Sequence, residues 1–310
     1  MVTAIPPLKD SATLEFGDVE AQPIAERDIS KLVLASYNIR YAVGRFLISS
    51  GLLRKVGITL NRKRAHQVGE NIRFAAEVFS SGKLMPSPDV LALQEADKQT
   101  SRAGGHHVAS ELAQAMEMSW VHAPAGIPRG QPPLPRQWWL DFEEQIALHD
   151  SGDTGVALLS RFPLKETTRI DLPWHECPWR PRLAMAATLS LGKNKLRILN
   201  AHVDPHAAIG AQLEQLEVLT EEAKKHSGPT LIVGDFNTLS RQKCAETKNF
   251  MQARGFQTPI PTGTPTWRGA GIRLHADWIF YRNVKITKWG VARPLNVSDH
   301  WPVWAEIDIG

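Results

Sequence analysis

Cysteine is nearly missing from this chain: only Cys177 and Cys244 occur among its 310 residues. Two thiols are too few for a disulfide framework or a cysteine-rich structural zinc site, and such sparing use fits a reducing compartment. Long apolar runs are missing too. None approaches the ~20 residues that a membrane-spanning helix needs. The first residues, MVTAIPPLKDSATLEF, contain two prolines and lack the basic segment and apolar core of a secretory signal. A cytoplasmic location is the expectation. Neither sign of charge dominates, since 36 Lys and Arg against 32 Asp and Glu leave +4. That excess is too small to mark a nucleic-acid binder by itself. No internal repeat and no compositional break marks a linker. Residues 31–310 are expected to form one domain, behind a polar lead-in of residues 1–30 that lacks hydrophobic periodicity.

The chain does have an ordinary globular composition, 43% hydrophobic and 22% charged, which excludes disorder as its overall state. Charge is locally uneven: residues 54–64 (RKVGITLNRKR) are basic with no acid, and read as a solvated loop ahead of a phosphate-binding arm. Tryptophan is abundant, and Trp138 and Trp139 close a proline-rich segment over residues 124–139 that reads as an irregular surface loop, a lid or an apolar hairpin.

Short apolar runs punctuate the sequence. Residues 32–37 (LVLASY), 89–94 (DVLALQ), 155–160 (GVALLS), 183–191, 196–203 (LRILNAHV), 230–233 (TLIV), 277–281, 284–289 and 301–307 have strand character. Helical spacing appears over 64–81, where Val68, Ile72, Ala75, Ala76 and Phe79 share a stripe. It appears again near 107–117, and from Ile209 through Leu213, Leu216 and Leu219. Strands and helices mix without strict alternation, so a single α/β sandwich is the economical architecture.

Many of the strand runs end in a polar residue that a strand core would not tolerate. Asn38, Glu95, His202 with Asp204, Asp235 with Asn237, Asp277, and Asp299 with His300 all lie at or beside such ends. In packed α/β folds strand termini converge on one rim, and the loops there carry function. One carboxylate at a strand end is ordinarily a turn residue; a whole set of hard oxygen donors, amides and two histidines is a kit for Mg²⁺ or Mn²⁺. The chemistry that uses such a kit is attack of water on phosphorus. A divalent ion offsets charge, a carboxylate takes the proton of water, and imidazoles and amides donate to the phosphoryl oxygens.

The same residues carry a resemblance. The strings SYN (residues 36–38), LQE (93–95), NAHVD (200–204), GDFN (234–237), HADWIF (275–280) and SDH (298–300) are similar, in order and spacing, to the endonuclease/exonuclease/phosphatase superfamily, from about residue 32 to 308. The resemblance implies a four-layer αββα sandwich of the DNase I type, with two central mixed sheets flanked by helices and the site at their shared rim. It implies Glu95 as the main metal carboxylate, Asn38 beside it and Asp299 as an acid near the metal. Asp235 would orient or deprotonate the attacking water. Asn237 would donate to the phosphate. His300 would stabilise the phosphoryl oxygens, held by Asp277, and His202 would serve as the second histidine. The segment GDTGVALLSRFPL (152–164) resembles the bacterial hydrolase branch and puts Asp153 where a carboxylate supports His202. Abasic-site endonucleases read N-x-D after the first strand. Here Arg40 stands in place of that acid, and His202 in place of their tyrosine, which argues against abasic-site repair.

Other residues follow the motifs closely. Arg102 and Arg182 are expected as phosphate contacts, since a guanidinium suits an oxyanion. Asp204 either touches the site or caps the next helix. His106 and His107 read as exposed helix-start residues, Trp267 as pocket lining or core, and both cysteines as inert. The expected activity is a divalent-metal-dependent phosphoesterase acting on a small-molecule, lipid-linked or nucleic-acid phosphate ester. A DNase I-like nuclease is the alternative. A superfamily member that only binds is disfavoured, because every catalytic position holds a competent residue. No obligate protein partner is readable.

Overall fold

The computed structural model describes residues 13–18, 29–44, 61–126, 146, 150–173, 182–269 and 271–310. The basic stretch up to residue 60, the Pro-Trp segment from residue 127 and Cys177 lie outside the described residues.

Two mixed sheets form the centre. The first has seven strands in the order β1 (Glu15–Gly17), β4 (Ser119–Pro124), β5 (Gly155–Ser160), β3 (Val90–Gln94), β2 (Lys31–Asn38), β14 (Val303–Asp308), β13 (Lys285–Val291). The second has five: β12 (Asp277–Arg282), β9 (Thr230–Asp235), β8 (Asn194–His202), β7 (Leu183–Leu191), β6 (Leu164–Asp171). A small hairpin, β10 (Trp267–Gly269) and β11 (Ile272–Leu274), stands apart from both. Strands β2, β3 and β5 face β7, β8 and β9 across the core. Helices α1 (Asn61–Ser81) and α2 (Val108–Ala115) pack on the outer face of the first sheet, whereas α3 (Ile209–Lys224) and α4 (Arg241–Ala253) pack with the second. This is the DNase I-like α/β sandwich.

The strand pattern explains the layering. Along β2, Leu32 and Leu34 enter the core between the sheets, while Ala35 and Tyr37 enter the core under α1 and α2. In β3, Val90 and Ala92 take one side and Leu91 and Leu93 the other. A strand buried on both faces reads as a continuous apolar run, not as an alternation. The stripe Val68, Ile72, Ala75, Ala76 and Phe79 of α1 fills the second core, with Tyr37 edge-on to Phe79.

Some elements carry little signal in the sequence. Helix α4 buries only Cys244, Thr247 and Met251, too thin a stripe to show as amphipathic, and is capped by Ser240, whose side chain accepts the Lys243 N–H. Strand β6 is mostly exposed or half-buried. Within the expected lead-in, Glu15–Gly17 pairs with β4 as the sheet edge; three residues are too few to display periodicity.

Register then assembles one rim. β2 and β3 are parallel, with Asn38 beside Gln94, and β8 and β9 are parallel, with His202 beside Asp235. β12 runs antiparallel to β9 and places Asp277 beside Asp235. Gly234 has φ +139°, and a Cβ there would collide with the Ala201 carbonyl of the neighbouring strand, so the residue before Asp235 must be glycine. A polar bridge ties the sheets together just behind the rim. Gln94 Nε2 donates to Asn200 Oδ1 at 2.6 Å, and Asn200 Nδ2 donates to the Leu93 and Ala157 carbonyls at 2.9 Å.

Candidate active site

Asp235 is the hub. It is the last residue of β9 and fully buried. Its Oδ2 accepts from Asn38 Nδ2 at 2.9 Å, and its Oδ1 accepts the Asn237 N–H at 2.9 Å. Two imidazoles flank it: His202 Nε2 and His300 Nε2 each lie 3.7 Å from Asp235 Oδ2. His202 Nε2 is also 3.8 Å from Glu95 Oε1. At these separations the groups are beyond direct hydrogen-bond range but close enough to interact strongly as charges.

His300 is held from behind, with Nδ1 2.9 Å from Asp277 Oδ2. Burial by itself would depress this imidazole. The charges of Asp277 and Asp235 outweigh burial and push it up to about 10, so it rests as an imidazolium with Nε2–H facing the rim. Burial raises the Asp235 carboxyl above the usual carboxylate range; the His300 charge opposes the rise and the Asp277 charge adds to it.

Backbone conformation aims several of these groups. Glu95 and Asn237 both sit at φ +50°, in the left-handed region, immediately past the ends of β3 and β9. Such conformations cost energy outside glycine and cluster at functional sites. Asn237 Nδ2 donates to the Val203 carbonyl at 2.9 Å, which anchors its amide over the end of β8. Arg40 begins a 3-10 turn, Arg40–Ala42, also at positive φ, and its Nη1 lies 3.2 Å from Asp299 Oδ2. Asp299, Tyr41 and Glu95 more than offset the burial penalty on that guanidinium. Asp299 Oδ2 also accepts from Trp267 Nε1 at 3.0 Å, so this tryptophan lines the site. Ser298 Oγ donates to the Asn38 carbonyl at 2.8 Å and ties the SDH loop to the end of β2.

The structure therefore brings Asn38, Arg40, Glu95, Arg182, His202, Asp235, Asn237, Asp277, Asp299 and His300 to one rim. Other expected residues lie elsewhere. Arg102 is 2% exposed and engages Asp97 bidentately at 2.7 and 2.8 Å, with its guanidinium over the Tyr41 ring. No phosphate reaches it there, and it supports the turn that carries Arg40. Asp153 accepts the Gly126 and Thr154 N–H groups at 2.9 and 2.8 Å and braces a loop. Among the described residues, His202 has a cation close by: Arg182 Nη1 lies 3.1 Å from Nδ1 and 3.0 Å from Nε2. Asp204 accepts the His206 N–H at 2.9 Å and shapes the turn into α3, whose N-cap is Ala208. Cys244 is buried, which pushes its thiol up and out of reactive range. Sequence reasoning missed the Gln94–Asn200 bridge. Its signal was present, as two amides at the ends of otherwise apolar strands.

The donor set fits a hard divalent ion. Glu95 offers a carboxylate and Asn38 an amide oxygen, Asp299 adds a second carboxylate, and among the described residues no thiol lies at the rim. Asp235 and Asp277 add two further carboxylates, so the rim is rich in oxygen ligands.

An α/β sandwich with carboxylates, amides and two imidazoles at the shared rim of its sheets defines a class of phosphoester-hydrolysing folds. Residues 35–300 match the model of the endonuclease/exonuclease/phosphatase family, and the chain belongs to that family. A UPF0294 protein of Yersinia enterocolitica is 28% identical over 144 residues, covering 43% of this chain and 54% of that protein. The chain thus spans about half the length of the curated relatives it matches. An endonuclease/exonuclease/phosphatase structure from Beutenbergia cavernae superposes with a TM-score of 0.63 at 14% identity, over 91% of this chain and 72% of that one. A mannosyl-6-phosphatase from Bacteroides thetaiotaomicron and D. rerio TDP2 complexed with single-strand DNA product each give 0.56 at 16% identity. They cover 89% and 90% of this chain, and 99% and 100% of their own. At these identities the structural likeness speaks for the fold alone. Among the described residues no helix is long and apolar enough to cross a membrane.

Proposed function

We propose that this chain is a Mg²⁺- or Mn²⁺-dependent phosphoesterase that hydrolyses a phosphodiester, or a phosphomonoester, by in-line attack of water. The observation that carries the reading is the Asp235 carboxylate set between the His202 and His300 imidazoles, with Glu95 adjoining. Glu95 and Asn38, with Asp299 nearby, would hold the ion. Its charge would offset that of the phosphoryl and leaving oxygens.

The chain's own residues supply the rest. Asp235 accepts the proton of the attacking water as the new O–P bond forms and the opposite ester P–O bond breaks, its electron pair leaving on the departing oxygen, which takes a proton from solvent. Its raised carboxyl makes it a stronger base than an ordinary aspartate. His300 donates from Nε2 to a phosphoryl oxygen, while Asp277 fixes the ring and stabilises its charge. His202 donates from the opposite side, positioned by Arg182. The free N–H of the Asn237 amide adds a further donor. All these groups are held before substrate arrives, so little reorganisation is required at the transition state.

Site chemistry sets the reaction class, and the substrate is decided by the surroundings of the rim. The neighbours span a sugar phosphatase and a protein bound to single-strand DNA product. A metal-supplemented screen of bis-p-nitrophenyl phosphate, p-nitrophenyl phosphate, plasmid DNA, RNA and sphingomyelin tests the proposal. Metal-dependent turnover of at least one is expected; no turnover of any, with folded protein and bound metal, sinks it. With Arg40 where an acid would stand, an abasic duplex should be cut little better than a generic diester.

A further inference from the structure

Away from the catalytic rim, three side chains converge at the edge of the first sheet. Glu15 lies on β1, His122 on β4 directly across from it, and His107 is the N-cap of α2. His107 Nε2 is 3.3 Å and His122 Nδ1 3.8 Å from the same oxygen, Glu15 Oε2. One ligand atom from each residue lies within 4.8 Å of the others.

The hydrogen bonding of His122 makes this cluster unusual. Its Nε2 is 2.8 Å from the Ala96 carbonyl, which can only accept, so the ring hydrogen is on Nε2. Nδ1 therefore presents a lone pair. The residue is fully buried, and Nδ1 has no hydrogen-bond partner. Its lone pair faces a carboxylate oxygen, which is itself an acceptor. Two acceptors confronting each other in a buried place is unfavourable unless a cation lies between them.

We propose that Glu15, His107 and His122 form a second metal site, for a first-row divalent ion of the zinc type, that fastens strand β1 to the sheet. Two imidazoles and one carboxylate are a borderline donor set that suits Zn²⁺ better than Mg²⁺. Tetrahedral bonds of ~2.0–2.1 Å put neighbouring ligand atoms ~3.3 Å apart, close to the two separations seen here. The surroundings are those of a ligand shell. The Ala96 carbonyl fixes the His122 tautomer, as such carbonyls do behind metal-bound histidines. Lys98 ion-pairs with Glu15 Oε1 and leaves Oε2 to the cluster. Two features oppose the ion. The Lys98 charge repels it. Binding through His107 Nε2 moves that ring's hydrogen to Nδ1, at the expense of the long 3.3 Å bond from the Ser110 N–H. The buried, uncompensated Nδ1 outweighs both.

The site does not depend on the phosphoesterase reading, and its test separates the two. A Glu95→Gln chain, stripped by chelator and dialysed against Zn²⁺, should keep one equivalent by elemental analysis and gain thermal stability. With Co²⁺ it should show the visible absorption of tetrahedral nitrogen–oxygen ligation. Adding Glu15→Gln or His107→Gln, both at half-buried positions, should weaken that zinc by ~10–100-fold and abolish the stabilisation. Circular dichroism confirms folding, and if one variant fails to fold the other decides. No retained zinc in Glu95→Gln, or equal retention with Glu15 or His107 replaced, overturns the proposal.

Discussion

His300 Nδ1 lies 2.9 Å from Asp277 Oδ2, and both side chains are buried where β12 meets β9. The carboxylate does two things at once: it sets the ring's orientation and stabilises its positive charge. Replacing His300 by Ala removes a transition-state donor and should cost ~10²–10³-fold in kcat. Asp277→Asn should cost less, because the donor survives in a poorer orientation. The double variant should lose less than the product of the two, since the pair acts as a unit. Strict additivity in that cycle would show that Asp277 acts on something other than His300.

Arg182 brings one guanidinium nitrogen, Nη1, against His202, the residue for which the sequence suggests a supporting carboxylate. It positions the ring and adds positive charge on the same side of the site. Arg182→Ala should lower kcat/KM by ~10–10²-fold. Arg182→Lys should recover only part, because a compact, strongly hydrated ammonium on a flexible stem does not reproduce the placement of the planar guanidinium. Steady-state kinetics on the best diester found in the screen measures this; equal rates for Arg182→Ala and wild type would remove Arg182 from the site.

The oxygen-rich rim gives a metal prediction. Excess EDTA should abolish hydrolysis, and Mg²⁺ or Mn²⁺ should restore it, while Glu95→Gln should need far more metal for half-maximal rate. Full activity in chelator is the outcome that refutes the metal assignment.

His275 gives a pH prediction for stability. It is buried, stacks on Trp278 at 3.9 Å, accepts the Gly263 N–H and donates to the Asp277 carbonyl. Burial lowers it to about 4 from an ordinary 6.5. Between those values the unfolded chain binds the proton and the native chain does not, so stability falls as pH drops from 6.5 towards 4 and the loss then levels off. The limiting slope is ~1.4 kcal/mol per pH unit. His275→Asn should flatten the acid limb of a denaturation series relative to wild type. An unchanged slope would mean that His275 already titrates normally in the native state.

How far the sequence was legible follows from where the information lies. Runs such as LVLASYN and TLIVGDFN announce a buried strand and its polar end within a few residues, because burial and termination are local properties. The α1 stripe was equally plain. Strand β6 and helix α4 were not, because each buries too little to imprint a period. Glu15–Gly17 pairs only through its neighbour β4.

The candidate site divides in the same way. The order of its motifs along the chain, and the chemical types they bring, were present in the sequence alone. Which residues would share a site was settled only in three dimensions. Asn38 and Asp235 are bonded across 197 residues of chain, and no local pattern encodes that pairing. Sheet register decided it, and the same packing turned Arg102 inward onto Asp97, put Arg182 rather than Asp153 at the His202 ring nitrogens, and gathered Glu15, His107 and His122 at a sheet edge. A side chain's type is written in the sequence; its partners depend on how distant strands align, and a one-residue slip in that alignment would reverse which face each one occupies.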